Sequence, residues 1–224
     1  MSAVRNRWVT FDCFGTLIDW HKGFTEILSP FARERVSDVV HAYHGCAQRI
    51  EREQPHRSYK DVLVASVVSA GAEAGVPICE TDARTLPRSW GALRPFADVE
   101  TLLAELRDRG YRLAVLTNCD DDLFETTHRT FGTPFDLFVT AERVRGYKPA
   151  PWHFRAFELL TRATRRDWVH VACSSYHDIA PAEALGIKRV WLDRDRTGGD
   201  PARASAHVHS VGDALRAVDG LFAN

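Results

Sequence analysis

Trp8-Val-Thr-Phe-Asp12-Cys-Phe-Gly15-Thr-Leu-Ile-Asp19-Trp20 is the stretch that decides the fold of this 224-residue chain. Its apolar and β-branched residues 8–11 predict a short strand that is buried on both faces. Asp12 follows directly, and Gly15 ends the extended run. Open α/β sheets bind ligands at the carboxyl ends of their strands, so Asp12 is a candidate site residue. An Asx turn, with Asp12 accepting backbone N–H groups, is the alternative interpretation.

Composition and charge limit the classes of function. The chain is 45% hydrophobic and 26% charged, as is ordinary for a globular protein. A net charge of −1 gives no electrostatic basis for binding nucleic acid or a membrane surface. The five cysteines are widely spaced and contain no Cys-x-x-Cys pair, which argues against a disulfide framework and a zinc site. Without a leader or an apolar run of about 18 residues, the sequence predicts a cytoplasmic protein with no membrane span.

Residues 21–93 show a helical pattern in place of the strand pattern. We predict helices over 22–28, 36–52, 59–74 and 80–90. In the third of these, Leu63, Val67, Ala70 and Ala74 lie on one stripe at helical spacing. The last is bounded by Pro77 before it and by the Arg-Pro pair at 94–95 after it.

Strand and helix patterns alternate in the second half of the chain. An amphipathic helix over 98–109 carries Val99, Leu102, Leu103 and Leu106 on one face. Predicted strands at 112–116, 135–140, 169–173 and 189–192 are separated by helices at 121–131, 151–163 and 179–185. A loop over 197–201 then leads to a final helix whose inward residues are Val211, Leu215, Val218 and Leu221. This alternation predicts an α/β fold with a doubly wound parallel sheet.

Polar residues stand at four of the predicted strand ends: Asp12, Thr117 with Asn118, Lys148 and Asp178. The carboxyl ends of parallel strands converge on one edge of a sheet. We therefore expect these residues, although far apart in the sequence, to share one site.

Two features of these residues carry a family resemblance. Asp-x-x-Gly-Thr-Leu-x-Asp over residues 12–19 resembles the first motif of the haloacid dehalogenase superfamily. The order Asp12, Thr117, Lys148, Asp178 is similar to that superfamily's four-motif order. The resemblance implies a Rossmann-like catalytic core, residues 1–19 and 94–224, with an inserted helical cap, residues 20–93. It also implies that Asp12 is a nucleophile and that the cap excludes water.

Phe14 bears on which chemistry the scaffold supports. Superfamily phosphatases carry a second aspartate at this position, which protonates the departing alkoxide. Phe14 has no proton to donate, whereas a halide leaves without one. The Asp-x-Phe-Gly-Thr-Leu stretch and Tyr-Lys-Pro at 147–149 resemble the L-2-haloacid dehalogenases of type II. The resemblance therefore implies a hydrolase that acts on a small 2-halocarboxylic acid.

The resemblance also implies a two-step mechanism. Asp12 would attack the halogen-bearing carbon, giving an aspartyl ester and halide, and water would then release a 2-hydroxy acid. Lys148 would hold Asp12 ionised, unless it is an ordinary surface lysine. Asp178 would orient Lys148 or accept a proton from the water, and it is also a candidate helix N-cap. Thr16 completes the predicted catalytic residues.

The predicted substrate-binding residues are Thr117, Asn118, Phe14 and Ser175. Thr16 and Thr117 would bond the nucleophile or the substrate carboxylate, or else close their own turns. Asn118 would face the departing halide through its amide. We expect no cofactor and no metal in this site, and a small-molecule substrate as partner. The sequence leaves the oligomeric state open, and a homodimer is compatible with it.

Three departures from the dehalogenase pattern leave alternatives open. The fourth motif, residues 173–178, lacks the asparagine of Ser-Ser-Asn-x-x-Asp, and Phe154 replaces a tyrosine. The cap arginine expected near positions 37 and 38 is missing, although Arg33, Arg35 and Arg49 become candidates if the register shifts. His177, Asp178 and Pro181 resemble a looser branch that includes azetidine-2-carboxylate hydrolase, with His177 expected to support the site indirectly.

Two further alternatives lie outside carbon chemistry. The first is a magnesium-dependent phosphatase with Asp12, the Phe14 carbonyl and Asp178 as ligands. Ser174 weakens it, because an acid is expected at that position. The second is a protein that binds ligands on this scaffold without catalysis.

Overall fold

A parallel six-stranded sheet forms the centre of the computed structural model, which describes residues 6–223. Its order is β3-β2-β1-β4-β5-β6, and every neighbouring pair is parallel. The strands are β1 (Trp8–Phe11), β2 (Arg112–Thr117), β3 (Leu137–Thr140), β4 (Trp168–Ala172), β5 (Lys188–Leu192) and β6 (Ala206–Val208). The predicted doubly wound parallel sheet is confirmed. Asp12 follows β1 where the strand order reverses, between β1 and β4, which is the ligand-binding point of such sheets.

Strand β1 is buried because both faces of the sheet are covered. Val9 and Phe11 belong to the larger hydrophobic core, on the side of the sheet that also buries Leu113. Trp8 lies in a second core on the other side, where its ring meets Phe157 edge to face at 5.3 Å. A strand buried on both faces consists mostly of apolar and β-branched residues, as the sequence of β1 does.

Six helices lie between β1 and β2, and the first five are α1 (Trp20–Ala32), α2 (Val36–Ile50), α3 (Tyr59–Glu73), α4 (Glu80–Ala83) and α5 (Thr85–Arg88). The first begins at Asp19, whose side chain accepts the Lys22 N–H. The predicted single helix over 80–90 is wrong: α4 and α5 are separate and are followed by a 3-10 turn, Trp90–Ala92. Pro87 has no N–H to donate to the Ala83 carbonyl, so the series of helical hydrogen bonds is interrupted between α4 and α5.

The remaining helices are α6 (Val99–Asp108), α7 (Asp121–His128), α8 (Ala141–Val144), α9 (Trp152–Thr161), α10 (Ala180–Ala184) and α11 (Val211–Ala223). The predicted inward face of α11 is partly wrong. Leu215 and Leu221 are only half-buried, whereas Ala214 and Phe222 are buried beside the predicted Val211 and Val218. Phe222 stacks on Tyr111, with ring centroids 5.0 Å apart, and this contact rotates the buried stripe.

The tail contains a strand that the sequence did not predict. Residues Ala206–Val208 form β6, which pairs with β5 and places Val208 beside Leu192. Three half-buried residues are too short a run to show strand periodicity. Within residues 6–223, no helix is long and apolar enough to cross a membrane. The division into core and cap remains a prediction, and its residues 1–5 and 224 lie outside the described part.

Candidate active site

Asp12 lies at the carboxyl edge of the sheet, directly after β1. Its N–H donates to the Val171 carbonyl of β4 at 3.1 Å, which continues the strand pairing by one residue. Gly15 then turns the chain with φ +93°, and a Cβ there would lie 2.8 Å from Cys173 Sγ. The carboxylate accepts hydrogen bonds from the side chains of Thr16 and Lys148. The Asx-turn interpretation is therefore wrong, because these donors are not backbone N–H groups.

Lys148 is buried and holds two carboxylates together. Its Nζ donates to Asp12 Oδ1 at 2.8 Å, to Asp178 Oδ1 at 2.6 Å and to the Leu116 carbonyl at 2.8 Å. The side chain is only 1% exposed, which excludes the surface-lysine interpretation. Burial by itself would lower the pKa of Lys148, but the two carboxylates outweigh it and raise that pKa. The ammonium is therefore charged at neutral pH.

Asn118 holds the main chain of Lys148 in place. Its Oδ1 accepts the Lys148 N–H at 2.7 Å, and its Nδ2 donates to the Lys148 carbonyl at 3.1 Å. A side-chain amide has two N–H donors, so one of them remains for a ligand. The predicted contact of Asn118 with a halide depends on this second N–H, since the first is used on the backbone.

Thr16 orients the second carboxylate oxygen of Asp12. Its hydroxyl donates to Asp12 Oδ2 at 2.9 Å and accepts the Cys173 N–H at 2.9 Å. Each oxygen of Asp12 thus has one side-chain donor, Thr16 on Oδ2 and Lys148 on Oδ1. These two bonds restrict rotation of the carboxylate, and they join the loop after β1 to the end of β4.

A chain of buried polar side chains orients Asp178. Trp168 Nε1 donates to Thr10 Oγ1 at 2.6 Å, and Thr10 Oγ1 lies 2.8 Å from His170 Nδ1. Since an ionised carboxylate can only accept, His170 Nε2–H donates to Asp178 Oδ1 at 3.0 Å. Sequence reasoning missed His170, although a histidine inside the apolar strand β4 was a visible signal.

Asp178 is a buried, ionised carboxylate. Burial raises its pKa, but Lys148 and His170 more than offset this and hold the pKa well below its usual range. The residue lies inside a π-helical turn, Ser175–Ile179, and the cap of that turn is Ser174, whose Oγ accepts the His177 N–H at 3.0 Å. The N-cap interpretation of Asp178 is therefore wrong. Its Oδ2 has no hydrogen-bond partner among the described residues.

The pKa of Asp12 shifts in the opposite direction. Burial raises the pKa of Asp12, the ammonium of Lys148 lowers it, and the negative charge of Asp178 raises it again. The net result is a pKa above the ordinary carboxyl value. Ionisation of Asp12 therefore depends on Lys148 remaining in place.

A cavity of about 110 Å³ lies over these groups, between the strand ends and helices α1, α2 and α3. Six of its seventeen lining residues are aromatic, namely Phe14, Trp20, Phe24, Tyr43, Tyr59 and Trp90. The rings of Phe14 and Trp90 meet edge to face with centroids 4.9 Å apart. The structure thus places Phe14 on the cavity wall, as predicted for a substrate-binding residue.

One predicted binding residue, Ser175, lies outside the cavity, and another, Thr117, lines it without bonding Asp12. Ser175 does not line the cavity, whereas Ser174 does, so the predicted contact is one residue out of position. The cause is the π-helical turn, which begins at Ser175 and carries it away from the site. Thr117 lines the cavity, but its hydroxyl donates to Cys119 Sγ at 3.6 Å and not to Asp12.

Arginine is absent from the described lining of the cavity. Arg33 and Arg35 are exposed, and Arg49 pairs at 2.8 Å with Glu73 on the protein surface. The cavity instead contains His44, Glu51 and His177. The Nε2 of His177 lies 3.4 Å from Glu51 Oε2. Sequence reasoning missed this cluster, although residues 44, 47 and 51 recur at the spacing of one helix face.

The sequence of this chain matches a known protein family. The family model of the haloacid dehalogenase-like hydrolases matches residues 7–186. The chain belongs to this family. Haloacetate dehalogenase H-2 of Moraxella sp. strain B is 28% identical over 198 residues, covering 83% of this chain and 85% of that protein.

Solved structures show that this hydrolase shares its fold with L-2-haloacid dehalogenases. One crystal structure of such an enzyme superposes with a TM-score of 0.86 at 21% identity, covering 95% of this chain and 98% of the other. The enzyme from Xanthobacter autotrophicus with chloropropionic acid covalently bound has a TM-score of 0.80 at 18% identity, covering 96% and 98%.

Proposed function

We propose that this haloacid dehalogenase-like hydrolase removes halide from a small 2-halocarboxylic acid through an aspartyl ester, giving a 2-hydroxy acid. The observation that carries the proposal is the Asp12 carboxylate, held by Lys148 and Thr16 below a small aromatic cavity. Phe14 stands where an alkoxide leaving group would need an acid. Relatives named as haloacid dehalogenases support the same reaction class.

In the first step, a carboxylate oxygen of Asp12 forms a bond to the halogen-bearing carbon while the carbon–halogen bond breaks. The electron pair of that bond leaves with the halide, and no proton is transferred. Asp12 becomes a neutral ester and no longer balances the ammonium of Lys148. Asp178, 2.6 Å from the same ammonium, keeps that buried charge paired. The covalent chloropropionic acid of the Xanthobacter autotrophicus enzyme supports such an intermediate.

In the second step, water attacks the carboxyl carbon of the ester. The bond from that carbon to the bridging oxygen breaks, so the oxygen that Asp12 supplied in the first step leaves in the product and the water oxygen remains on Asp12. The product hydroxyl takes one proton, and the second proton of the water is released as Asp12 returns to its ionised form. We assign the first contact with this water to Asp178 Oδ2, which is buried and lacks a partner among the residues described.

No arginine is among the described residues that line the cavity, so other side chains must bind the substrate. We assign the substrate's carboxylate and halide to donors other than arginine, namely the second N–H of Asn118, the Ser174 hydroxyl and the His177 ring, which belong to residues that line the cavity. The volume of about 110 Å³ favours a substrate of few atoms. A cytoplasmic location and independence from a cofactor remain part of this proposal.

A turnover screen tests the proposed function. Purified protein is incubated with chloroacetate, fluoroacetate, 2-chloropropionate and p-nitrophenyl phosphate, each with magnesium and with excess EDTA. We expect halide release from at least one haloacid under both conditions, and none from an Asp12→Asn control prepared in parallel. Efficient magnesium-dependent phosphate release, without halide release from any haloacid, would overturn the proposal in favour of a phosphatase.

A further inference from the structure

Three potential metal ligands meet at the carboxyl ends of β5 and β6. Asp193 directly follows β5, His207 lies within β6, and His209 follows that strand. One ligand atom from each side chain lies within 4.8 Å of the other two. None of the three lines the cavity above Asp12, so this cluster is separate from the candidate active site.

The carboxylate of the cluster is already oriented. The backbone N–H and the hydroxyl of Thr197 both donate to Asp193 Oδ1, each at 2.9 Å. The other oxygen, Oδ2, faces His207 Nε2 at 3.2 Å. The two bonds from Thr197 fix the orientation of the carboxylate and leave Oδ2 turned towards His207.

Both imidazole rings are held as well. His209 Nδ1 lies 2.8 Å from the Asp193 carbonyl, so it carries the proton and donates, which leaves the Nε2 lone pair free. His207 stacks on Trp191 with ring centroids 4.4 Å apart. A histidine that donates its other N–H to a backbone carbonyl is the usual outer-shell arrangement of a metal ligand.

We propose that Asp193, His207 and His209 bind a divalent transition-metal ion of the zinc type. Imidazole nitrogen and carboxylate oxygen are ligands that such ions accept, with water in a remaining position. Two ligands at about 2.0–2.1 Å in a tetrahedron lie about 3.3 Å apart. The Asp193 Oδ2 to His207 Nε2 distance of 3.2 Å matches this separation.

Binding would cross-link the edge strand to its neighbour. Asp193 belongs to the β5 side and the two histidines to the β6 side, so one ion would join them in addition to the strand pairing. The guanidinium of Arg194, next to Asp193 in the sequence, does not oppose metal binding, because it pairs with Asp98 at 2.8 Å. The ion would stabilise the edge of the sheet and take no part in the proposed dehalogenation.

Zinc binding to tag-free, metal-stripped protein tests the proposal. Titration calorimetry and metal analysis after dialysis should give one zinc ion per chain and a higher melting temperature with zinc. His207→Ala and His209→Ala should each weaken binding by about 100-fold or more, because even an outer-shell partner is worth about 10–100-fold. His41→Ala, which removes an exposed histidine of α2, should bind zinc as the unchanged protein does.

Cobalt provides a second readout at the same site. Co²⁺ bound by these three ligands should give visible absorption bands that both histidine variants lose and His41→Ala keeps. The melting temperature of each variant without metal establishes that it is folded. Undetectable zinc retention by the unchanged protein would overturn the site, as would equal retention by folded His207→Ala and His209→Ala.

Discussion

The Nζ of Lys148 lies 2.8 Å from Oδ1 of Asp12, although 136 positions separate the two residues in the sequence. The contact exists because β1 and β2 are neighbours, and Asn118, just after β2, fixes the Lys148 backbone. The same ammonium contacts Asp178. Two buried carboxylates and one ammonium carry a net negative charge, which falls to zero when Asp12 becomes an ester. This charge balance underlies the first prediction.

Replacement of Lys148 by alanine should greatly reduce turnover. The substitution leaves Asp12 and Asp178 without their shared cation in a buried site, so the already raised pKa of Asp12 should rise further. We expect the rate of halide release to fall by about 10²–10⁴-fold, as for other positioned acid–base groups. Lys60→Ala is the matched control, because that ammonium pairs with exposed Asp122 on the surface. Rates near those of the unchanged protein would contradict the role of Lys148.

Isotope labelling should locate the nucleophile. In a single turnover in oxygen-18 water, the label should enter the Asp12 carboxylate, because water attacks the carboxyl carbon of the ester. Mass spectrometry of the peptide that contains Asp12 checks this, with the same peptide from an unreacted sample as control. Label found in the product after that first turnover would mean that water attacks the substrate directly.

Activity on the haloacid should persist in excess EDTA. The variant Phe14→Asp should release halide no faster than the unchanged protein. A halocarboxylate is a monoanion that is attacked at a neutral carbon, and its halide leaves without a proton. The new carboxylate would also replace part of the Phe14–Trp90 contact with a charge near Asp12. Steady-state halide release with and without EDTA measures both effects. Faster dehalogenation by Phe14→Asp would show that leaving-group departure uses an acid.

Removal of the Glu51 charge should strengthen binding of an anionic substrate. Glu51 lines the cavity with its side chain 8% exposed, so its carboxylate repels a haloacid carboxylate there. We expect Glu51→Gln to lower KM by about 5-fold, corresponding to roughly 1 kcal/mol of repulsion, with kcat little changed. Glu53→Gln, on a surface carboxylate paired with Arg57, serves as control. A higher KM in Glu51→Gln would mean that Glu51 helps to hold the substrate.

Much of the fold was predictable because its signals are local. Strand β1 has four buried residues in succession, and the predicted strands β2 to β5 match the structure within two residues at each end. The helical break at Arg84, between α4 and α5, and the short strand β6 were not found. The first depends on one missing hydrogen bond, and the second depends on pairing with β5, which no run of three residues reveals.

The candidate site was likewise predictable only in part. Asp12, Lys148 and Asp178 were predictable because each follows a strand end, and the sheet brings such ends together. His170 and Glu51 were not, because their roles arise from neighbours that lie far away in the sequence. Glu51 is on a helix of the first half, whereas its partner His177 follows β4. The prediction that Ser175 binds the substrate was one residue out of position, because an irregular helical turn begins there and Ser174 lines the cavity instead.

The last prediction concerns stability in acid, and it rests on His44 in the cavity wall. His44 lines the cavity but remains exposed to solvent on its other side. Partial desolvation, together with the neighbouring rings of His177, His21 and His41, lowers the pKa of His44 to about 4. An unfolded chain holds this histidine near its ordinary pKa of about 6.5, so between these two values the unfolded state binds more protons. The free energy of unfolding should therefore fall as pH drops from about 6.5 towards 4.

His44→Gln removes this proton-binding difference while keeping a polar side chain. Urea unfolding at pH 7 and at pH 4.5 measures the stability lost on acidification. The variant should lose less than the unchanged protein, by no more than about 1 kcal/mol, because solvent screens a side chain as exposed as His44. His41→Gln, three positions earlier on the exposed face of α2, should lose nearly as much as the unchanged protein. Buried His153, whose pKa burial lowers to about 3, contributes in the same direction, so part of the loss remains in the variant. Equal acid sensitivity in His44→Gln and the unchanged protein would show that His44 is protonated as easily in the folded state as in the unfolded chain.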